Sequence, residues 1–142
     1  MRRTATFPAA RESVPSARQF VVDLLGGVPH DTLEAVRVIV SELTSNCVRH
    51  GASEFELTVE HTSGRILIEA SDGGGGEPVM RSPGPTETSG RGLRIVDSLA
   101  NSWGVVHRAG RGGKVVWASV SVPVRDDEEP GPTRYQADLT PT

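Results

Sequence analysis

Cysteine, lysine and long apolar runs are scarce in this chain, and each scarcity excludes a class of protein. Cys47 is the single cysteine among 142 residues, so neither an internal disulfide nor a cysteine-based zinc cluster can form, which fits a reducing compartment. Lys114 is the single lysine and follows no Gly-x-x-x-x-Gly run, which excludes a Walker P-loop. The dinucleotide-binding fingerprint is also absent, because the glycine-rich segments do not open a β-α-β unit at the required spacing.

Charge and hydropathy exclude two kinds of partner. The formal net charge is −3, so no basic field favours nucleic acid. No apolar run approaches the roughly 18 residues that a membrane-spanning helix needs. The first eight residues carry positive charge without an apolar stretch behind it, unlike a secretory signal. We expect a cytoplasmic protein that binds neither nucleic acid nor a membrane directly.

The apolar pattern divides the chain into a body and a tail. Apolar residues recur with clear periods up to about residue 124, and residues 1–124 suit one domain with a single core. Residues 125–142 are charged and proline-rich, with few side chains to bury. We expect this acidic tail to be disordered.

Within the body, the periods of strands and helices alternate. In chain order they predict an edge strand at 4–7, a helix from 13 to Gly26, a helix from 31 to about 49, strands at 55–59 and 66–70 joined by a turn at Ser63-Gly64, a loop at 73–89, a helix at 93–100, and strands at 103–106 and 114–122. Ser13 is the predicted cap of the first helix, and Asp31 or Thr32 caps the second. This order predicts an α+β two-layer sandwich, a mixed and mostly antiparallel sheet with helices on one face.

The second helix carries a polar row beside its apolar stripe. At about 100° per residue, the stripe centres on Val36, Val40, Leu43 and Cys47. Glu42, Asn46 and His50 project together along one flank of that stripe. A solvated surface row would explain them, but the position four residues after Glu42 holds an asparagine rather than the lysine or arginine that commonly pairs with glutamate there. The helix alone leaves the surface and functional readings open.

Two glycine-rich segments follow. Asp72 precedes a run of four glycines after a strand, where a flat ligand can approach the backbone and the carboxylate can accept from the exocyclic amine of adenine. A surface turn is the competing reading. Gly90 and Gly92 precede a predicted helix N-terminus, where free N–H groups and the helix dipole favour phosphate, although glycines there often only cap or turn.

Taken in order, these segments resemble the boxes of a known superfamily. The run from Val40 to Gly51 resembles the N-box of the GHKL ATPase/kinase superfamily, Asp72-Gly73-Gly74-Gly75-Gly76 resembles its Asp-x-Gly-x-Gly box, and Gly90-Arg91-Gly92-Leu93 its second glycine box. With an N-box ending in His-Gly and a strand starting at Trp103-Gly104, the chain is similar to bacterial anti-sigma factor serine kinases. The resemblance covers residues 4–122 and implies the Bergerat, or GHKL, ATP-binding fold.

The resemblance also implies a role for each box. Asn46 would coordinate Mg²⁺ that bridges the ATP phosphates, and Glu42 would be the general base that accepts the proton of an attacking serine. Asp72 would bind the adenine amine. The remaining ATP-binding residues that the resemblance implies are Arg49, His50, Gly74, Gly76, Gly90, Arg91, Gly92 and Leu93, with Arg94 as a further candidate for phosphate contact. Gly90 and Gly92 would hinge a lid of residues 77–89.

The same resemblance implies partners and leaves alternatives. It implies a homodimer that sequesters a sigma factor and phosphorylates a serine on an anti-sigma antagonist protein. One alternative is a non-catalytic ATP-binding module that regulates by sequestration only. Another is the ATP-binding part of a sensor histidine kinase, which is disfavoured because the residues before Glu42 cannot hold a phosphoacceptor helical hairpin. Retention of Glu42 and Asn46 favours the kinase. The lid is short and carries Pro78, Pro83 and Pro85, and Glu77-Pro78 replaces the apolar residue expected after the glycine run.

Overall fold

A computed structural model of the chain describes residues 1–50, 54–72, 88–107 and 113–123, with backbone alone at residues 50 and 88–92. Its elements in chain order are β1 (Arg2–Pro8), α1 (Ser13–Leu24), α2 (His30–His50), β2 (Glu54–Thr62), β3 (Arg65–Asp72), α3 (Thr88–Leu99), β4 (Ser102–His107) and β5 (Lys114–Ser121). This is the order that the periodicity predicts. The predicted tail at 125–142 and most of the predicted loop at 73–89 lie outside the described residues.

The strands form one sheet in the order β1-β2-β3-β5-β4. Every pairing among the described strands is antiparallel, in line with the predicted mostly antiparallel sheet. The first strand is an edge strand, as predicted. Because β5 inserts between β3 and β4, the last residues of β3 lie beside the first residues of β5, at one end of these two strands.

The helices cover one face of this sheet and bury a single core. The longest helix, α2, packs on β2, β3 and β5 and lies between α1 and α3. Its predicted stripe of Val36, Val40, Leu43 and Cys47 is buried, as are the inward residues Leu57 and Ile68 of the sheet. Burial of these apolar side chains supplies the main stabilisation, at about 25 cal/mol for each Å² removed from water.

The strand boundaries differ from the prediction at the position that matters most for the site. β3 continues two residues past the predicted end at Ala70, through Ser71 and Asp72. The extension arises because Ser71 and Asp72 pair with Val115 and Lys114 of β5. Asp72 is therefore a residue of the sheet rather than of the following loop, and its backbone is held on one side by β5 and on the other by β2.

The starts of all three helices also differ. The second helix begins at His30, so Asp31 and Thr32 lie in its first turn and not at its cap. Ser13 does not cap α1, because its hydroxyl donates to the Pro8 carbonyl oxygen at 2.6 Å, and Glu12 at the cap position makes no side-chain cap bond. The bond to Pro8 instead ties the start of α1 to the end of β1. The third helix begins at Thr88, five residues before the predicted start at Leu93, so that Gly90 and Gly92 lie in its first turns.

The connection between β2 and β3 is a tight turn, as predicted. Gly64 has φ of 84°, a left-handed conformation that glycine adopts at no steric cost. Its carbonyl oxygen also accepts from the Val122 amide at 3.0 Å, which links the turn to the end of β5. Within the described part of the chain, none of the helices has both the length and the apolar character to span a membrane.

Candidate functional site

The polar row of α2 lies where the helix passes over the sheet. Asn46 is buried, with 6% of its surface exposed, and Glu42, one turn earlier, is half-buried. Their spacing of four residues puts their Cβ atoms about 5–6 Å apart on one face. The row predicted at the border of the core is therefore present for these two residues. The His50 side chain lies outside the described part of the structure.

Asn46 holds an oxygen without a partner. Its Oδ1 atom is buried and accepts no hydrogen bond from any described residue. Thr44, two residues earlier and also buried, differs because its hydroxyl donates to the Val40 carbonyl oxygen at 2.7 Å. An unsatisfied buried polar atom costs about 1–3 kcal/mol, so Asn46 is suited to a position at which a donor or a cation completes it.

The second polar group is an ion pair between two strands. Lys114 donates from Nζ to Asp72 Oδ2 at 3.1 Å, and the two side chains are 5% and 3% exposed. The pair forms because Asp72 and Lys114 are direct partners in the β3–β5 ladder, which puts both side chains on the helix-covered face. Charged side chains are rarely buried to this extent unless they are paired.

One carboxylate oxygen of this pair is left over. Asp72 Oδ1 is buried, and no described residue donates to it. A carboxylate can accept about four hydrogen bonds, and the described residues provide one from a side chain, at Oδ2. Like Asn46 Oδ1, this atom is an acceptor, so a ligand that fits both positions presents a donor or a positive charge to each.

The thiol of Cys47 connects the helix with the ion pair. Burial raises the pKa of Cys47 to about 12, with a further increase from the negative charge of Asp72 and a decrease from the positive charge of Lys114. The Cys47 thiol therefore lies within electrostatic range of both Asp72 and Lys114. Asn46 precedes it on the same helix, and that helix packs on β3 and β5, which carry the ion pair. At neutral pH the thiol is protonated and is not a nucleophile.

The described residues do not form a metal site by themselves. None of their histidine, cysteine, aspartate and glutamate side chains assemble into a group of three or more that could hold a metal ion. A site with a single amide oxygen suits Mg²⁺ bound mainly by water and by the phosphates of a ligand, which is the usual arrangement for this ion. Asn46 Oδ1, buried and without a donor, fits that demand.

The other predicted site residues divide into three groups. Arg49 is exposed in the last turn of α2, and Arg94 is exposed near the middle of α3. Leu93 is buried in the second turn of α3, so any part that it plays is through packing. The backbone of Gly90, Arg91 and Gly92 lies in the first turns of α3, inside the helix rather than before its N-terminus as predicted. Gly74 and Gly76 lie outside the described residues.

Sequence reasoning missed the contribution of Lys114. In the sequence, Lys114 served only to exclude a Walker P-loop. Its position at the start of a strand, on the same side as the apolar Val116 and Ala118, is a signal that could have been found. A lysine in register with core residues is unusual enough to call for a buried counter-charge.

Comparison with known proteins identifies the family of the domain. The profile of the family described as histidine kinase-like ATPase domain matches residues 7–120. No curated protein matches the chain significantly in sequence.

Two solved structures resemble the fold. The crystal structure of the RsbU and RsbW domains of Rv1364c from Mycobacterium tuberculosis matches with a TM-score of 0.65 and 18% sequence identity, over 88% of this chain and 33% of that one. The chain thus spans about a third of that protein, and the likeness concerns the fold. The histidine kinase AdeS of Acinetobacter baumannii matches with a TM-score of 0.46 and 15% identity, over 84% of this chain and 67% of that one.

Proposed function

The chain belongs to the histidine kinase-like ATPase domain family, and from this premise we propose that it binds ATP with Mg²⁺ and phosphorylates a serine of a partner protein. The observation that carries the proposal is a pair of buried acceptors, Asn46 Oδ1 and Asp72 Oδ1, that have no hydrogen-bond partner among the described residues. ATP with Mg²⁺ offers one matching group to each, because the metal is a cation and the adenine amine is a donor. Binding of Mg-ATP would therefore satisfy two oxygens that the described residues leave without a donor.

The roles follow from the position of each group. Asn46 would hold the metal through its amide oxygen, and Asp72 would accept from the exocyclic amine of adenine. When bound, Mg²⁺ would supply positive charge beside the phosphates. The exposed Arg49 and Arg94 would contact phosphate oxygens, and so would the backbone of Gly90 and Arg91 in the first turn of α3, because the first four N–H groups of a helix have no partner within it.

Glu42 is the proposed general base. It is half-buried, so its carboxylate remains accessible to a partner, and it lies one turn from Asn46 on the same face of α2. As the serine oxygen bonds to the γ-phosphorus, the bond from that phosphorus to the bridging oxygen breaks and ADP leaves. Glu42 accepts the proton that the serine hydroxyl loses. Lysine and histidine are not needed for this transfer.

The proposed partners derive from the resemblance of the three boxes to bacterial anti-sigma factor serine kinases. We propose that the acceptor serine belongs to an anti-sigma antagonist and that the chain sequesters a sigma factor, acting as a homodimer in the cytoplasm. The order of the boxes along the chain supports this assignment. Sequestration without catalysis is the alternative function. In that case Glu42 would have no catalytic role.

Incubation with radiolabelled ATP, Mg²⁺ and candidate antagonist proteins tests the proposal. We expect label on one serine of one antagonist. Binding of Mg-ATP without transfer to any antagonist that itself binds the chain would favour sequestration alone. Failure of millimolar Mg-ATP to bind the folded chain, measured by calorimetry, would overturn the nucleotide assignment altogether.

A further inference from the structure

The two carboxylate oxygens of Asp72 have different surroundings. Oδ2 accepts from Lys114 Nζ at 3.1 Å, while Oδ1 is buried without a donor among the described residues. Both residues are fixed at the ends of two neighbouring strands by the β3–β5 ladder. The lysine therefore decides which oxygen is occupied and which one stays open.

We propose that Lys114 determines the purine specificity of the site, by occupying Asp72 Oδ2 and so leaving Oδ1 as a fixed hydrogen-bond acceptor for the base. This inference rests on the proposed function, because it assigns a cause to the base preference of that ATP site. Lys114 acts through Asp72 and is a positioning residue. It is the only lysine of the chain, so no neighbouring lysine can take its place.

The chemistry of the purine 6-position makes this division selective. Adenine carries an amino group there, which donates to a carboxylate oxygen. Hypoxanthine and guanine carry a carbonyl oxygen, which a carboxylate acceptor repels. A hydrogen bond to a charged group distinguishes ligands by roughly ten- to a hundredfold in affinity. A site with Oδ1 held open as an acceptor opposite the 6-position therefore prefers ATP to ITP, in which a carbonyl oxygen replaces the 6-amino group and N1 carries a hydrogen.

Loss of the lysine removes this control. A buried carboxylate without a counter-charge favours its protonated form, and a protonated carboxyl can donate as well as accept. Such a group accommodates a 6-amino or a 6-oxo purine. The variant should then bind ATP and ITP with similar affinity. If Lys114 had a purely structural role, its loss would lower the affinity for both nucleotides by the same factor and leave their ratio unchanged.

Asparagine at position 72 gives the opposite expectation. With Lys114 present, the ammonium group still requires an acceptor, so the amide oxygen of the new side chain turns toward it. The amide NH₂ group then occupies the open position and donates to the base. Asp72→Asn should therefore prefer ITP to ATP, and adding Lys114→Met should abolish that preference by freeing the amide to rotate.

Other titratable groups near the Asp72–Lys114 pair are the same in the wild type and in the three variants. Two of them in the described part of the chain are Cys47 on α2, whose pKa responds to the charges of both residues, and His107 on β4, the ladder partner of Lys114. Both are present in all four proteins, and the affinity ratio of ATP to ITP is measured at one pH. Their effects on phosphate binding cancel in the ratio.

The experiment is a double-mutant cycle read as that ratio, by calorimetry with Mg-ATP and Mg-ITP on the full chain. We expect an ATP preference of about tenfold or more in the wild type, a ratio near one for Lys114→Met, a reversed ratio for Asp72→Asn, and a ratio near one for the double variant. Val116→Ala, on the same face of β5, is the control for general destabilisation and should keep the wild-type ratio.

Each outcome decides a different claim. If the wild type binds neither nucleotide, the proposed ATP site is wrong and the inference falls with it. If the wild type prefers ATP and Lys114→Met keeps that preference, the inference is overturned while the ATP site stands. If Lys114→Met does not fold, Asp72→Asn decides alone, because a retained preference for ATP in that variant would contradict the division of oxygens.

Discussion

Asp72 and Lys114 face each other across the β3–β5 ladder, with 3.1 Å between Oδ2 and Nζ. They are 42 residues apart in the chain and become neighbours only because β5 pairs with β3. Both side chains are almost fully buried, so each charge depends on the other for compensation. The same carboxylate leaves Oδ1 open, which joins the stability of the sheet to the chemistry of the candidate site.

Removal of Lys114 should destabilise the fold strongly. We expect Lys114→Met to lower the free energy of unfolding by about 3–5 kcal/mol, the usual cost of removing one partner of a buried ion pair. The double variant Asp72→Asn/Lys114→Met should recover part of this loss. Urea denaturation measures both. The control is Arg2→Met, which breaks an exposed pair with Glu60 and should cost about 0–1 kcal/mol; equal losses for Arg2 and Lys114 would contradict the argument.

Mg-ATP should raise the melting temperature of the wild type, because it binds the folded chain and not the unfolded one. Asn46→Ala should remove most of this shift, since it deletes the buried oxygen proposed to hold the metal. Differential scanning fluorimetry with and without Mg-ATP is the measurement. Val38→Ala, at an exposed position of the same helix, should keep the full shift. An Asn46→Ala protein that folds and shows the wild-type shift would remove Asn46 from the site.

Glu42→Ala should bind Mg-ATP as the wild type does but should not transfer phosphate to the antagonist. The expectation follows because the carboxylate is proposed to act on the serine proton rather than on the nucleotide, and general-base catalysis contributes typically about 10²–10⁴-fold. Nucleotide binding and serine labelling are measured in parallel. Glu34→Ala serves as the control, since Glu34 lies on the same helix in a pair with Arg37. Undiminished labelling by Glu42→Ala would assign the base elsewhere.

Cys47 should resist thiol reagents in the folded protein and react after unfolding. Burial raises its pKa from 9.0 to about 12, so the thiolate fraction at pH 8 falls by about a thousandfold relative to the unfolded chain. Reaction with a chromogenic disulfide, with and without urea, measures this difference. Rapid labelling of the native protein at the rate of a free thiol would place Cys47 outside the core.

The same thiol predicts how stability depends on pH. Because the folded pKa lies above the unfolded one, the contribution of Cys47 is fully present below pH 9 and is lost as pH rises toward about 12. The loss should be smaller in Cys47→Val, which has no group to ionise. Urea midpoints of the two proteins between pH 8 and pH 11, about the range over which the unfolded thiol ionises, provide the comparison.

Local patterns were sufficient to predict the order of the elements. The three- and four-residue spacing of Val36, Val40, Leu43 and Cys47 predicted α2, and that stripe is buried. Ser63-Gly64 predicted the turn, and Gly64 has the positive φ that such a turn requires. These predictions hold because side-chain periodicity and turn chemistry act within a few residues.

Predictions that depended on a distant partner were less accurate. Ser13 has the chemistry of a helix cap, but its hydroxyl donates to Pro8, a contact decided by how β1 leads into α1. The strand before Asp72 was predicted to end at Ala70, because nothing near it in sequence shows that β5 pairs with the last two residues. The predicted start of α3 at Leu93 was wrong, because Gly90 and Gly92 have low helix propensity although the helix begins before them, at Thr88.

The sequence by itself determined the family boxes, the positions of Glu42 and Asn46 on one flank of a helix, and the two-layer architecture, because each follows from residue types at short spacing. The tertiary structure alone decided that the single lysine is the counter-charge of Asp72. That contact requires β5 to enter the sheet beside β3, which is a non-local pairing whose register fixes Lys114 opposite Asp72. The physical reason is that strand registers are set by burial of a whole face, and no short stretch of sequence contains that information.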